Sequence, residues 1–177
     1  MKYLILAAFA ISLLSSCDET VSSSAVTTWE AISFEADVDP IPISNGISLA
    51  PSFKSVAENM DYQLEINTET GEYSTKGSYT IKTTFSFTNV PDMISSYDNV
   101  IKSGSFSKVE DNWHFDKSLF DVITNDVKWT TVDDMELSYT LTDNGNTLIQ
   151  EQWFNNIEVE DGLKGNITLR SEWKKKN

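Results

Sequence analysis

The sequence predicts an all-β fold, an antiparallel sandwich or barrel of about eight to ten short strands connected as a meander. Segments in which apolar and polar residues alternate recur along the chain, for example in residues 29–38 and 62–66. This period of two is typical of strands with one buried face. Turn-forming residues separate the segments, and almost no long helical pattern occurs in the part predicted to fold. Residues 29–177 are therefore predicted to form one β domain.

The N-terminal segment, residues 1–16, has the features of a cleaved secretory signal. Lys2 precedes an apolar run, residues 3–14, that is shorter than the roughly 20 apolar residues of a transmembrane helix. Leu14-Ser15-Ser16-Cys17 resembles the lipobox of bacterial lipoproteins, whose cysteine is lipidated and becomes the first residue after cleavage. The resemblance implies that Cys17 anchors the chain in the cell envelope, at the outer membrane. The alternatives are an ordinary secretory signal with a chance cysteine, or a frayed helix.

Residues 17–28 have the composition of a lipidated flexible tether, because they contain many small polar residues and few large apolar ones. Asp18 and Glu19 resemble the acidic export signal that follows the cysteine of surface lipoproteins in Bacteroidota-type bacteria. That resemblance implies exposure on the cell surface. In enterobacterial lipoproteins, an aspartate at this place is associated with retention in the inner membrane, so the choice of membrane leaflet stays open.

The composition excludes one class of partner and one kind of stabilisation. The net charge is −14, from 27 acidic and 13 basic residues. An acidic surface repels phosphate backbones, so no nucleic-acid partner is expected. Cys17 is the only cysteine, so the domain has no disulfide within the chain and must be stabilised by its core.

The first predicted strand spans residues 29–38, and Pro40, Pro42 and Gly46 predict a loop over residues 39–50. A short helix is predicted to begin at Pro51 and to act as a lid or plug. The apolar residues that predict this helix recur at i, i+3, i+4 and i+7 and are Phe53, Val56, Ala57 and Met60.

More strands are predicted in the middle of the chain. They lie at residues 62–66, 73–88, 101–109 and 113–115. Gly77 predicts a bend or bulge inside the second of these strands, and residues 90–92 end it. Residues 117–126 are predicted to be irregular or a single helical turn, and a short strand is predicted at residues 127–132.

Asn144-Gly145 predicts a two-residue hairpin, because both central positions of a type I′ turn need positive φ. The turn sets the register of the two strands that it connects. The predicted pairs are Leu141 with Leu148, Tyr139 with Gln150, Leu137 with Gln152, and Met135 with Phe154. A closing strand is predicted at residues 165–173.

The layout of these residues resembles the lipocalin-like domains of lipid-anchored proteins in Bacteroidota-type bacteria. The resemblance rests on Thr28-Trp29-Glu30, Gly77-Ser78-Tyr79, Trp113-His114-Phe115, the strand that enters the Asn144-Gly145 hairpin, and Glu172-Trp173-Lys174. It implies a lipocalin-like up-and-down barrel. Thr27 occupies the place of the glycine in the lipocalin Gly-x-Trp motif, which argues against a closed, ligand-filled calyx. The resemblance also implies that Arg170 covers Trp29; the alternative is an outward-facing arginine among acidic neighbours.

No catalytic motif, metal site or cofactor site is predicted. His114 is the only histidine, and neither a Gly-x-Ser-x-Gly turn nor a P-loop occurs. Trp-His-Phe is typical of an ordinary strand, so His114 is interpreted as structural rather than as a catalytic base. A small hydrolase would need His114 beside a serine and an acid in a cleft.

The aromatic residues allow two binding hypotheses and one structural interpretation. Inside a barrel, an apolar ligand cavity would be lined by Tyr79, Phe85, Phe87, Tyr139 and Phe154, with Gln150 and Gln152 as polar contacts. On an exposed face, Trp113, Trp129 and Trp153 would stack on sugars. Alternatively, the aromatic side chains fill the core. The first hypothesis is a non-enzymatic lipid-anchored protein that binds a small apolar molecule or serves as an envelope scaffold. The second is a surface glycan- or protein-binding accessory module.

Overall fold

The computed structural model describes residues 25–41, 51–121, 137–160 and 163–176. The predicted signal peptide, Cys17, the strand at residues 127–132, Trp129 and Met135 lie outside the described residues. Within the described ranges, no helix combines the length and the apolar character that crossing a bilayer requires.

The described residues form a closed barrel of eight antiparallel strands, in which each strand pairs with the next and the last pairs with the first. The strands are β1 (Val26–Pro40), β2 (Phe53–Asn67), β3 (Glu72–Phe85), β4 (Met93–Val109), β5 (Asn112–Phe115), β6 (Leu137–Thr142), β7 (Thr147–Glu160) and β8 (Leu163–Lys175). This up-and-down topology confirms the prediction of an all-β meander and is consistent with a lipocalin-like barrel. We call the end with the tight β2–β3, β4–β5 and β6–β7 turns the turn end, and the opposite end the loop end.

The predicted helix after Pro51 is wrong, because residues 53–67 form strand β2. Their backbone pairs with β1 on one side and with β3 on the other. Asn59 has a φ of 51° and lies where both ladders shift register. This irregularity changes which positions face inward: the buried residues are odd-numbered before it, as at Ala57, and even-numbered after it, as at Tyr62. The spacing that imitated a helix therefore results from a strand with a bulge.

The predicted bulge at Gly77 is confirmed. Gly77 has a φ of 134°, and the β3–β4 register shifts between Gly77 and Tyr79. A Cβ atom built on Gly77 would overlap the carbonyl oxygen of Asp61 on β2. The two strands approach so closely here that only glycine fits, and the barrel wall can bend at this point.

The Asn144-Gly145 hairpin has the predicted register in the three residue pairs nearest the turn. Leu141 pairs with Leu148, and the ladder runs from Thr140↔Ile149 to Thr142↔Thr147. Positive φ values extend over Asp143, Asn144 and Gly145. The predicted pairs of Tyr139 and Leu137 lie beyond this ladder. Instead of a ladder bond, the Ser138 N–H donates to the side-chain Oε1 of Gln152 at 3.0 Å.

The interior of the barrel is filled mainly by large aromatic and aliphatic side chains. The largest fully buried ones are Trp29, Trp173, Tyr62, Tyr79, Tyr139, Phe115, Phe120, Leu64, Ile66, Ile81, Leu119 and Leu137. Most come from alternate positions of the strands, as expected when a small barrel is filled by its own side chains. Leu119 and Phe120 are the exceptions, because they belong to no strand.

Candidate functional site

The segment of residues 116–121 follows β5 and enters the barrel; we call it the plug. The predicted irregular conformation is confirmed for this part of residues 117–126. Phe120 is 1% exposed. Its ring centroid lies 4.5 Å from Phe34 on β1 and 5.3 Å from Tyr62 on β2. It also lies 5.3 Å from Tyr79 on β3 and 5.2 Å from Trp173 on β8. Since these rings come from four different strands, Phe120 occupies the space that the barrel wall encloses.

Two buried tyrosine hydroxyls bind the main chain of the plug. The Tyr62 hydroxyl donates to the Leu119 carbonyl oxygen at 2.7 Å and also lies 2.7 Å from Thr75 Oγ1. The Tyr79 hydroxyl accepts a hydrogen bond from the Asp121 N–H at 2.8 Å. Burial raises the pKa of both tyrosines well above the ordinary value, so the hydroxyls stay neutral and can donate. The plug thus gives the buried Tyr79 hydroxyl a partner, and it gives the Tyr62 hydroxyl a second partner besides Thr75.

Asp116 and Asp121 fasten the two ends of the plug to the barrel wall. Asp116 Oδ2 accepts hydrogen bonds from the Ser105 N–H and the Ser105 hydroxyl, each at 3.0 Å, and Oδ1 accepts one from the Tyr73 hydroxyl at 3.1 Å. Partial burial raises the pKa of the Asp116 carboxyl, but these hydrogen bonds outweigh burial and the net pKa is lowered. At the other end, Lys102 Nζ lies 2.6 Å from Asp121 Oδ1.

The candidate ligand residues divide into two groups. Tyr79, Tyr139 and Gln150 are buried inside the barrel. Gln152 and Phe154 are partly buried beside them. Hydrogen bonds connect the polar members of this first group. The Ser171 hydroxyl lies 3.5 Å from the Tyr139 hydroxyl and donates to Gln150 Oε1 at 3.1 Å. Gln150 Nε2 in turn donates to Gln152 Oε1 at 2.8 Å. The polar atoms of these candidates are therefore partnered by the protein.

The remaining candidates, Phe85 and Phe87, lie at the loop end. The ring of Phe85 packs 6.0 Å from that of Phe53 and is partly buried. Phe87 follows the end of β3 and is 49% exposed. The predicted strand continued to residue 88, and its alternation placed Phe87 on the inward face. Strand β3 ends at Phe85, however, so the alternation does not extend to Phe87. Phe87 is therefore separate from the interior group.

The sequence predictions did not find Leu119 and Phe120 as interior residues. A signal was present, because Asp-Lys-Ser-Leu-Phe-Asp places two adjacent large apolar residues among polar ones. Such a pair in a segment without periodicity indicates an anchor in a core, but it does not say which core positions it meets.

Arg170 does not cover Trp29. Its side chain points outward, with Nη1 3.0 Å from Asp37 Oδ2 and 3.2 Å from Glu35 Oε1. The physical reason is strand alternation: Leu169 and Ser171 face inward and are buried, so Arg170 must face solvent. At the turn end of the barrel, Lys108 makes a cation–π contact, with Nζ 5.3 Å from the centre of a Trp113 ring. Trp113 in turn packs edge-on against Trp29 at 6.3 Å.

His114 has a serine neighbour but lies on a strand surface. His114 Nδ1 is 2.9 Å from Ser138 Oγ. The two residues are direct cross-strand partners of β5 and β6, and adjacent side chains at that position are expected in any antiparallel ladder. Neither residue lines the pockets of about 690, 620 and 440 Å³ found on the described surface. The Ser–His pair therefore lies outside these three pockets.

The described part of the chain holds no group of three or more His, Cys, Asp or Glu side chains that could bind a metal ion. Comparison with known proteins finds no matching family model, curated protein or solved structure.

Proposed function

We propose that this chain is a non-enzymatic, lipid-anchored barrel of the cell envelope that serves as a scaffold, rather than carrying a small apolar molecule inside its barrel. One observation carries the proposal: Phe120 lies among Phe34, Tyr62, Tyr79 and Trp173, where a ligand in the barrel would have to lie. The interior is then a core, and the functional surfaces are on the outside.

The cost of removing the plug supports this proposal. Burial of a phenylalanine side chain contributes about 1.5–3 kcal/mol, and each hydrogen bond contributes about 1 kcal/mol more. An entering ligand would have to replace the Phe120 contacts and also the bonds from Tyr62 and Tyr79 to the plug. Many ordinary apolar molecules offer no hydrogen-bonding groups at those places.

The anchor part of the proposal rests on the lipobox resemblance of Leu14-Ser15-Ser16-Cys17. Val26 begins β1 at the turn end of the barrel. A chain held at Cys17 would therefore present its turn end toward the membrane and its loop end away from it. More than one acyl chain is needed for stable attachment, and bacterial lipoproteins of the resembling type carry two or three.

Trp153 supports a second candidate function, a surface module that binds glycans or proteins. Its side chain is 61% exposed on the outer face of β7, and Ile149 on the same face is 39% exposed. An exposed indole on a strand face is suited to stacking on a sugar ring or a partner side chain. Glu151 lies between Trp153 and Ile149 on this face, so the two do not form a continuous apolar patch. Trp113 does not extend this surface, because it is only 4% exposed.

Native mass spectrometry of the protein purified from its own membranes tests the proposal. We expect a mass equal to the polypeptide from Cys17 plus covalent acyl chains, with no stoichiometric non-covalent adduct. A Cys17→Ser variant should leave the membrane fraction. A bound apolar molecule at equal stoichiometry would contradict the scaffold role, while an unmodified Cys17 in membrane-purified protein would contradict the anchor.

A further inference from the structure

A pocket of about 620 Å³ lies at the turn end of the barrel, beside the buried indoles of Trp29 and Trp113. Its described lining includes Trp29, Trp113 and three lysines, Lys108, Lys175 and Lys176, and no aspartate or glutamate. Threonines of β1 and of the β2–β3 turn and asparagines of the β6–β7 turn also line it. The pocket is therefore cationic in a chain whose net charge is −14.

Strand register places two of these lysines beside the tryptophans. Lys108 pairs with Trp113 across the β4–β5 ladder, and Lys175 pairs with Trp29 across the β1–β8 ladder. Directly paired residues point to the same face of a sheet, so both lysine side chains emerge at the mouth above a buried indole. Lys176 is fixed next to them, because its N–H donates to the Thr28 carbonyl oxygen at 2.8 Å.

The charges of these lysines are not neutralised by the described carboxylates. Ion pairs of the described residues engage Lys54, Lys76, Lys82, Lys102 and Arg170, but none engages the three pocket lysines. Three ammonium groups around one pocket repel each other, and an anion between them would remove that repulsion. In addition, the indole N–H of Trp113 is buried without a hydrogen-bond partner among the described residues.

From this arrangement we propose that the turn-end pocket binds the phosphate group of a ligand. Lysine recognises phosphate as a point charge and needs no planar, bidentate geometry. A carboxylate ligand would be bound best by the planar, bidentate group of an arginine. The one arginine of the chain lies elsewhere, on the outer face of β8, so the pocket is better suited to phosphate. Threonine hydroxyls and asparagine amides supply neutral donors for the remaining phosphate oxygens.

The phosphate could belong to a lipid headgroup or to a soluble molecule. Val26 lines the pocket, and residues 18–25 separate it from Cys17. Eight residues span at most about 30 Å when fully extended. If the proposed anchor is correct, a headgroup is within that reach; the phosphate chemistry of the pocket does not depend on the anchor.

The test uses the full chain in a neutral detergent at constant ionic strength, with the indole N–H resonances of Trp29 and Trp113 as the readout. One arm adds inorganic phosphate, and a second adds micelles that contain phosphatidic acid. A third arm adds micelles with phosphatidylcholine, whose phosphate is balanced by a cationic group. We expect saturable shifts with phosphate, which would indicate a soluble source, or only with phosphatidic acid, which would indicate a headgroup.

A matched pair of variants separates the pocket from overall charge. Lys108→Gln with Lys175→Gln removes two charges from the pocket, whereas Lys117→Gln with Lys164→Gln removes two exposed lysine charges outside the pocket. The pocket variant should bind at least about tenfold more weakly, and the control should stay within about twofold. The proposal would be overturned if neither inorganic phosphate nor phosphatidic acid gave saturable shifts. It would also be overturned if phosphatidylcholine gave shifts equal to those with phosphatidic acid, or if the two variants weakened binding equally. The lipid state of Cys17 does not affect the arm with inorganic phosphate. It also leaves the comparison of phosphatidic acid with phosphatidylcholine intact, because an acyl anchor would enter both kinds of micelle alike.

Discussion

The ring of Phe120 stacks on the ring of Phe34, with 4.5 Å between the centroids and 22° between the planes. Phe34 belongs to the barrel wall, and Phe120 belongs to a segment that takes no part in the strand ladders. This contact connects the plug to the first strand of the barrel. It makes the plug part of the core, and the stability of the whole domain should depend on it.

Replacement of Phe120 by alanine should lower the free energy of unfolding by about 3–5 kcal/mol, the range for a fully buried phenylalanine. The loss would come from the four ring contacts and from the cavity that remains. Urea unfolding followed by circular dichroism measures it. Phe87→Ala is the control, because Phe87 is 49% exposed and its removal should change the free energy by no more than about 0.5 kcal/mol. Similar losses for both variants would show that Phe120 is not in the core.

Asp116→Asn should destabilise the protein by about 1 kcal/mol at neutral pH, because the hydrogen bonds from Ser105 and Tyr73 lose their charged acceptor. The folded-state pKa of Asp116 is lowered, so its contribution is present above the unfolded pKa of about 3.9 and is lost as the pH falls through the folded value.

The stability curves of the wild type and of Asp116→Asn should therefore converge below about pH 4. Thermal unfolding over a pH series measures this convergence. Asp98→Asn, at an exposed position of the same strand β4, provides the control and should leave the curve unchanged. A constant difference between wild type and Asp116→Asn down to the lowest pH would contradict the assigned role.

Gly77→Ala should destabilise the barrel by more than about 3 kcal/mol or prevent folding, because the new methyl group would overlap the Asp61 carbonyl oxygen. Gly145→Ala introduces the same group at a φ of 86° in the hairpin turn, where the Leu141 side chain would be 3.9 Å away. There the cost is backbone strain alone, about 1–2 kcal/mol. Urea unfolding of both variants compares them, and equal losses would disagree with a close β2–β3 approach.

Arg170→Ala should leave the melting temperature nearly unchanged, because Arg170 makes solvent-exposed ion pairs with Glu35, Asp37 and Glu151. If Arg170 covered Trp29, the same change would lower the melting temperature clearly. Differential scanning calorimetry at low and high salt distinguishes the two cases. A large decrease that persists at high salt would contradict the outward orientation.

The sequence was sufficient for features that depend on neighbouring residues. Alternation predicted most strands, and Asn144-Gly145 predicted the pairing of Leu141 with Leu148, because turn geometry determines register locally. The bulge at Asn59 could not be recognised, since it requires pairing with two distant strands. The Phe120 position was equally hidden, because it depends on closure of the barrel by β1 and β8. Arg170 was different: apolar residues at the alternate positions 167, 169 and 173 already indicated an outward side chain at position 170.

The central claim is that Phe120 fills the barrel, and titration with benzene, followed by the NMR shifts of the interior aromatic side chains, tests it most directly. The wild-type chain should show no saturable shifts, whereas Phe120→Ala should bind about one benzene molecule in the vacated space, as engineered apolar cavities do. Saturable binding of benzene to the wild type with the same affinity as to Phe120→Ala would contradict the claim, because the barrel would then hold a ligand site that the plug does not occupy.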